Sequence, residues 1–92
     1  MVAVVIEIDM RGVDQDAALA ALREQTVPAI ASHAGFESGT WLMSDGFGNG
    51  LSLTLWDTLA HAQAMTDDLG DHHLVEGASI LRAEIRKVAA TA

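Results

Sequence analysis

Apolar and polar residues alternate along four stretches of this chain, and apolar spacings of three and four fill the gaps between them. Residues 2–10 are rich in β-branched residues, with Val2, Val4, Ile6 and Ile8 on one face and Ala3, Val5, Glu7 and Asp9 on the other. A strand apolar on one side and partly apolar on the other suits a central place in a sheet. Arg11 and Gly12 turn the chain, and Asp14 is placed to cap a helix. Strong helix formers follow from Asp16 to Gln25, where Ala18, Leu19 and Leu22 make an apolar stripe. Pro28 lacks a backbone donor and biases Val27 away from helical geometry, so a kink or restart is expected there. The preferred reading is a second short segment from Pro28 to Ala34, with proline in its first turn. Gly35 then serves as the stop, and Phe36 folds back onto the helix end.

Residues 36–44 and 50–56 predict two strands joined by the turn-rich residues 45–50. In the second strand Leu51, Leu53 and Leu55 alternate with Ser52, Thr54 and Trp56, the pattern of a half-buried strand. The face that Trp41 joins depends on hairpin register, because a slip of one residue reverses it. Asp57 and Thr58 cap a second helix carrying Leu59, Ala62, Met65 and Leu69, and Gly70 is expected to end it. Residues 71–80 read as irregular and residues 81–89 as the last strand.

Strand-helix-strand-strand-helix-strand order, with right-handed crossovers, predicts one α+β domain over residues 1–92. The arrangement is ferredoxin-like: a four-stranded antiparallel sheet of order 4-1-3-2 with both helices on one face. The helix-facing side is read as Val2, Val4, Ile6, Ile8, Leu51, Leu53 and Leu55. The open side is read as Ser52, Thr54, Trp56 and Glu7, with Glu7 pairing to Arg82, Arg86 or Lys87 across the last strand. Monomers rarely leave such an area in water. A second copy of the chain is its simplest cover, giving a homodimer with Trp56 as hydrophobic anchor.

Composition narrows the partners. No apolar run approaches the ~20 residues that span a bilayer, and the first residues lack a basic leader, so a cytoplasmic protein is expected. Cysteine is absent, which excludes disulfides and thiolate chemistry. The formal net charge is −8, with Arg11, Arg23, Arg82, Arg86 and Lys87 as the fixed cations. Nucleic acid and anionic membranes need a positive surface, so neither is an expected partner. His72 and His73 sit in an acidic stretch, but adjacent side chains diverge, and no His-x-x-x-His spacing occurs. No metal site is predicted.

Pro28, then Gly35 and Phe36, then Gly39 to Leu42, then Leu53 to Thr58 and an alanine-rich helix form a connected series. It resembles the dimeric α+β barrel superfamily, particularly proteins grouped with antibiotic biosynthesis monooxygenases, with Ala34 where proline is usual. The resemblance covers nearly the whole chain and implies two monomers forming a barrel. It also implies a range of activities: cofactor-free oxygenation, haem degradation, lactone isomerisation, or none. Haem degradation in that group calls for a first-strand asparagine, a tryptophan late in the second helix and a histidine about ten residues on. Here those places hold Glu7, Met65 and Val75, with His72 and His73 nearby, so no haem or other cofactor is expected.

Cofactor-free oxygenation needs a dry pocket and donors that hold a substrate anion. The resemblance makes Trp41, His72 and His73 the catalytic candidates, and Trp56, Met65, Leu22 and Phe36 the substrate-binding ones. Packing is the blander role for each tryptophan, and a solvated loop for each of these histidines. The expected function is a small cofactor-independent monooxygenase-like protein acting on an apolar aromatic metabolite. The alternative is a non-catalytic dimeric barrel that binds a small ligand or serves in stress.

Overall fold

The computed structural model describes residues 1–46, 48–72 and 77–92, with residues 70–72 described by backbone alone. Strand β1 (Val2–Asp9) leads to helix α1 (Gln15–Ala21), a π-helical turn (Leu22–Thr26) and helix α2 (Val27–Ala31). Strands β2 (Phe36–Met43) and β3 (Asn49–Trp56), helix α3 (Leu59–His72) and strand β4 (Ser79–Lys87) complete it. The strands form one antiparallel sheet of order β2-β3-β1-β4, the order expected. Helices α2 and α3 pack on the same sheet, α2 on β2 and α3 on β1, β3 and β4.

Asp14 caps α1 as its position predicts, its Oδ1 accepting the Ala17 N–H at 2.9 Å. The helix does not break before Pro28. The chain widens into the π-turn instead, where the Val27 N–H donates to the Leu22 carbonyl five residues back. Proline then lies in the first turn of α2, where its missing donor costs least. Gly35 has φ of +86° and ends the helical stretch as expected. Helix α3 does not stop at Gly70 but runs to His72. An interior glycine costs about 1 kcal/mol relative to alanine, and the burial of Leu69 and Met65 beneath it outweighs that. Strand β4 begins at Ser79, within the stretch read as irregular. The register to β1 shifts between Glu7 and Ile8, so Leu81 is an extra residue. That bulge interrupts the alternation by which a strand is recognised.

The largest correction concerns the two faces of the sheet. Val4 stands opposite Thr54, Ile6 opposite Ser52 and Val2 opposite Trp56. Directly opposed residues share a face, so Ser52, Thr54 and Trp56 point toward the helices. Leu51, Leu53 and Leu55 point away, opposite Glu7, Val5 and Ala3. The expected assignment of β3 is therefore reversed, and Trp56 is not an anchor on the open face. Trp56 is fully buried, in one core with Val4, Ile6, Ile30, Ala62, Met65 and Leu69. Burying so large a ring outweighs the cost of turning two hydroxyls inward. The Trp56 Nε1–H donates to Thr54 Oγ1 at 2.8 Å, which reduces that cost further.

The hairpin register also places Trp41. It lies opposite Ser52, on the helix-facing side with Phe36, Gly39 and Met43. The open side carries Leu42 at 52% and Leu53 at 42% exposure, beside half-buried Leu51, Leu55 and Val5. A charged row crosses the same side along β4. Glu7 lies 3.9 Å from Arg82, Arg82 3.7 Å from Glu84, and Glu84 3.3 Å from Arg86. Glu7 thus faces Arg82 as predicted.

Candidate functional site

Helices α2 and α3 sit directly on the sheet, whereas α1 and the π-turn hold their backbones farther from it. The space left beneath them is a cavity of about 60 Å³. Ala18, Leu22 and Thr26 form its roof, one side chain from each successive turn. Ile8, Trp41, Met43 and Ser52 form part of its floor, and Met10 and Ala78 close its end. Thioether sulfurs suit such a wall because methionine adapts to irregular shapes. Thr26 and Ser52 supply the hydroxyls of an otherwise apolar lining.

Trp41 is half-buried and held flat by its own strand. A Cβ at Gly39 would fall 2.7 Å from the Cζ3 atom of the Trp41 ring, so only glycine leaves the ring this position. The two tryptophans differ in the state of their donors. The indole N–H of Trp56 is satisfied by Thr54. Among the described residues, the indole N–H of Trp41 meets no acceptor, and it is not sealed from solvent. Trp41 thus brings to the cavity lining a ring whose N–H no described residue uses.

Of the residues singled out from sequence, the structure puts Leu22 and Trp41 at this cavity. Trp56 and Met65 belong to the closed core beside it, with exposures of 0% and 1%. Phe36 packs edge-on against Trp56, with ring centroids 5.5 Å apart. His72 ends α3, and its side chain, together with His73 and Val75, lies outside the described residues. Sequence reasoning missed Ser52 and Thr26. Thr26 falls four residues after Leu22, a spacing that marks one helix face. Ser52 had no usable signal, because its face is set by strand register alone.

Two histidine–aspartate pairs lie away from the cavity, and the first ties the end of α2 to α3. His33 places Nδ1 at 3.0 Å from the Ala29 carbonyl and Nε2 at 3.0 Å from Asp68, with its ring edge-on to Trp56. His61 places Nδ1 at 2.7 Å from Asp57 Oδ1. This bond, followed by smaller help from Thr58, holds the Asp57 carboxyl below the usual carboxylate range. The Asp57 N–H in turn donates to the Gly35 carbonyl at 3.0 Å, joining the end of the first helical stretch to the start of α3. On the loop after β1, Arg11 grips Asp9 and lowers its pKa to about 2. Among the described residues, no group of three or more potential ligands comes together to hold a metal ion. None of their helices is long and apolar enough to cross a membrane.

An antiparallel four-stranded sheet with helices on one face and a cavity between the layers defines a ferredoxin-like α+β protein. The same fold is found in SnoaB, a cofactor-independent oxygenase from Streptomyces nogalater, at a TM-score of 0.70 and 14% identity. That alignment covers 98% of this chain and 94% of the other. It recurs in a variant of MhuD with two manganese protoporphyrin IX molecules bound per active site, at TM-score 0.64 and 18% identity. There the coverage is 100% and 98%. Rv0793 from Mycobacterium tuberculosis aligns at TM-score 0.59 and 16% identity, over 99% of this chain and 97% of its own. The fold is thus the α+β fold that the sequence resemblance implies. No family model matches the chain, and no curated protein matches it by sequence.

Proposed function

We propose that this chain is a small cofactor-independent monooxygenase-like protein that acts on an apolar aromatic metabolite in the cavity beneath α1 and the π-turn. The observation that carries this reading is the apolar cavity with the donor-bearing Trp41 ring among its lining residues. A positioned donor stabilises developing oxyanion charge more as a bound substrate excludes water from around it. Shared fold with a cofactor-independent oxygenase supports the same reading. A second copy covering Leu42, Leu51, Leu53 and Leu55 completes it, as a cytoplasmic homodimer of single-domain chains.

The test is aerobic turnover of an anthrone or quinol, followed by oxygen uptake, in the natural chain and in Trp41→Phe. Loss of one such donor is expected to slow turnover by about 10²-fold or more. Equal rates in the two proteins would remove Trp41 from the reaction. The lack of an ionisable side chain among the described lining residues favours a second reading, a non-catalytic dimeric barrel that binds a small ligand. Ligand binding without oxygen uptake across quinols and anthrones would decide for it.

A further inference from the structure

The apolar patch on the open face of the sheet has a centre. Pairing sets Leu53 beside Val5 on β1 and Thr40 on β2, with Leu51 and Leu55 on either side of it along its own strand. Leu42 and Ala3 stand at opposite diagonals from it. Leu53 is therefore the middle of the patch, yet it is 42% exposed. The charges of this face lie to one side. Arg82, Glu84 and Arg86 stand on β4, two strand spacings or about 10 Å from β3. Glu7 joins their row through Arg82 at 3.9 Å. Two acids and two bases alternate in that row. It thus adds no net charge to the meeting of two chains that each carry −8.

A two-fold interface is built from the same patch on both copies. Whatever the direction of the axis in the plane of contact, apolar area overlaps most when the axis passes through the centre of the patch. A residue at that point meets its own counterpart. We infer that Leu53 lies on the two-fold axis of a homodimer and packs against its counterpart in the second copy, with the ion row of β4 toward the rim. This rests on the dimer proposed above and names the residue at its centre. Interface energy concentrates in such central contacts, from which water is excluded. Charges at a rim act mainly on the rate of association.

Mixed dimers of the natural chain test this, one copy carrying isotope-labelled leucine methyl groups and the other unlabelled. Isotope-filtered NOE spectra then report only contacts between copies, with the Leu53 signals assigned from Leu53→Val. The Leu53 methyl groups are expected to show a contact at their own proton frequency. The absence of cysteine from the chain allows a second readout. Facing sheets lie about 10 Å apart, too far for a direct disulfide, so an ethylene-linked bis-methanethiosulfonate is used to join introduced thiols. Thr40 and Leu55 lie at right angles from Leu53, so no axis through Leu53 passes over both. Leu53→Cys is expected to link at least about threefold more than the poorer of Thr40→Cys and Leu55→Cys. The NOE spectra decide, and the linking yields decide where the copies do not exchange. A dimer by light scattering in which Leu53 does not pair with itself overturns this inference and leaves the dimer standing. A natural chain that stays monomeric removes both.

Discussion

The indole N–H of Trp56 donates to the hydroxyl of Thr54, two residues earlier on the same face of β3, at 2.8 Å inside the core. This bond explains how a strand can point its serine and threonine inward and its leucines outward. It also separates the two tryptophans. Trp56→Phe removes a buried donor and leaves the Thr54 hydroxyl without it, an expected cost of about 1–3 kcal/mol. Trp41→Phe removes a donor that no described residue uses, and is expected to cost under about 1 kcal/mol. Urea denaturation of the two variants checks the contrast, and comparable losses would contradict it.

Gly35 is irreplaceable for two independent reasons. Its φ is +86°, and a Cβ there would collide with Asp57 and His61. Gly35→Ala is expected to destabilise by about 2 kcal/mol or more, combining left-handed strain with disruption of the Asp57–His61 pair. Gly46→Ala is the control, since nothing lies within 4 Å of its added Cβ. Thermal unfolding of both should show a lower midpoint for the first alone.

Leu53 lies on the open face of the sheet, opposite Val5 on β1 and Thr40 on β2. In the proposed homodimer a charge at this position would be buried against the second copy without a partner. Leu53→Lys is expected to weaken dimerisation by at least about 100-fold while leaving the monomer folded. Light scattering across a dilution series reads the change. A wild-type chain that stays monomeric at micromolar concentration would remove the dimer.

Acid stability follows from two depressed carboxylates. Asp9 falls from 3.8 to about 2 through its hydrogen bonds to Arg11, and Asp57 falls through its bond to His61. A carboxylate whose folded pKa lies below its unfolded value stabilises the fold at pH above the unfolded value. That contribution is lost as pH falls through the folded value. For Asp9 the window runs from about 3.8 down to about 2. Both groups are solvated, so the effects are small. Asp9→Asn and Asp57→Asn should each flatten the acid limb of a stability-against-pH curve by slightly lowering its neutral plateau. An unaltered acid limb in both would contradict the assignment.

Gly39→Ala tests whether the ring of Trp41 is positioned by its own strand. The added methyl group must displace the indole, so the chain should stay folded with a changed Trp41 indole signal. Affinity for a neutral aromatic ligand is expected to fall about tenfold. An unchanged indole signal would place the origin of the ring's orientation elsewhere.

Much of the architecture is written in local sequence. Alternation over residues 2–10, the Asp14 cap, the Gly35 stop and the apolar spacing from Leu59 to Leu69 each fix an element through backbone geometry and nearby side chains. Their order then leaves few sheet topologies, and the strand order follows. Pro28 announced a disturbance but not its form, because whether a helix breaks or widens into a π-turn depends on what its next turn can pack against. The bulge at Leu81 hid the start of β4 for a similar reason, since one extra residue erases the period that marks a strand.

The faces of β3 were decided by tertiary structure alone. Alternating leucines and hydroxyls define two sides equally well, and hydrophobicity suggests the leucines should be inside. Only pairing with β1 sets Thr54 against Val4 and Ser52 against Ile6, and only then does Trp56 fall in the core with its donor satisfied. The same pairing carries Trp41 to the cavity and the leucines to the open face. Sequence determined which segments are strands and helices, because those depend on neighbours along the chain. Register between strands distant in sequence determined the candidate site, because a shift of one residue would have exchanged its lining for the opposite face.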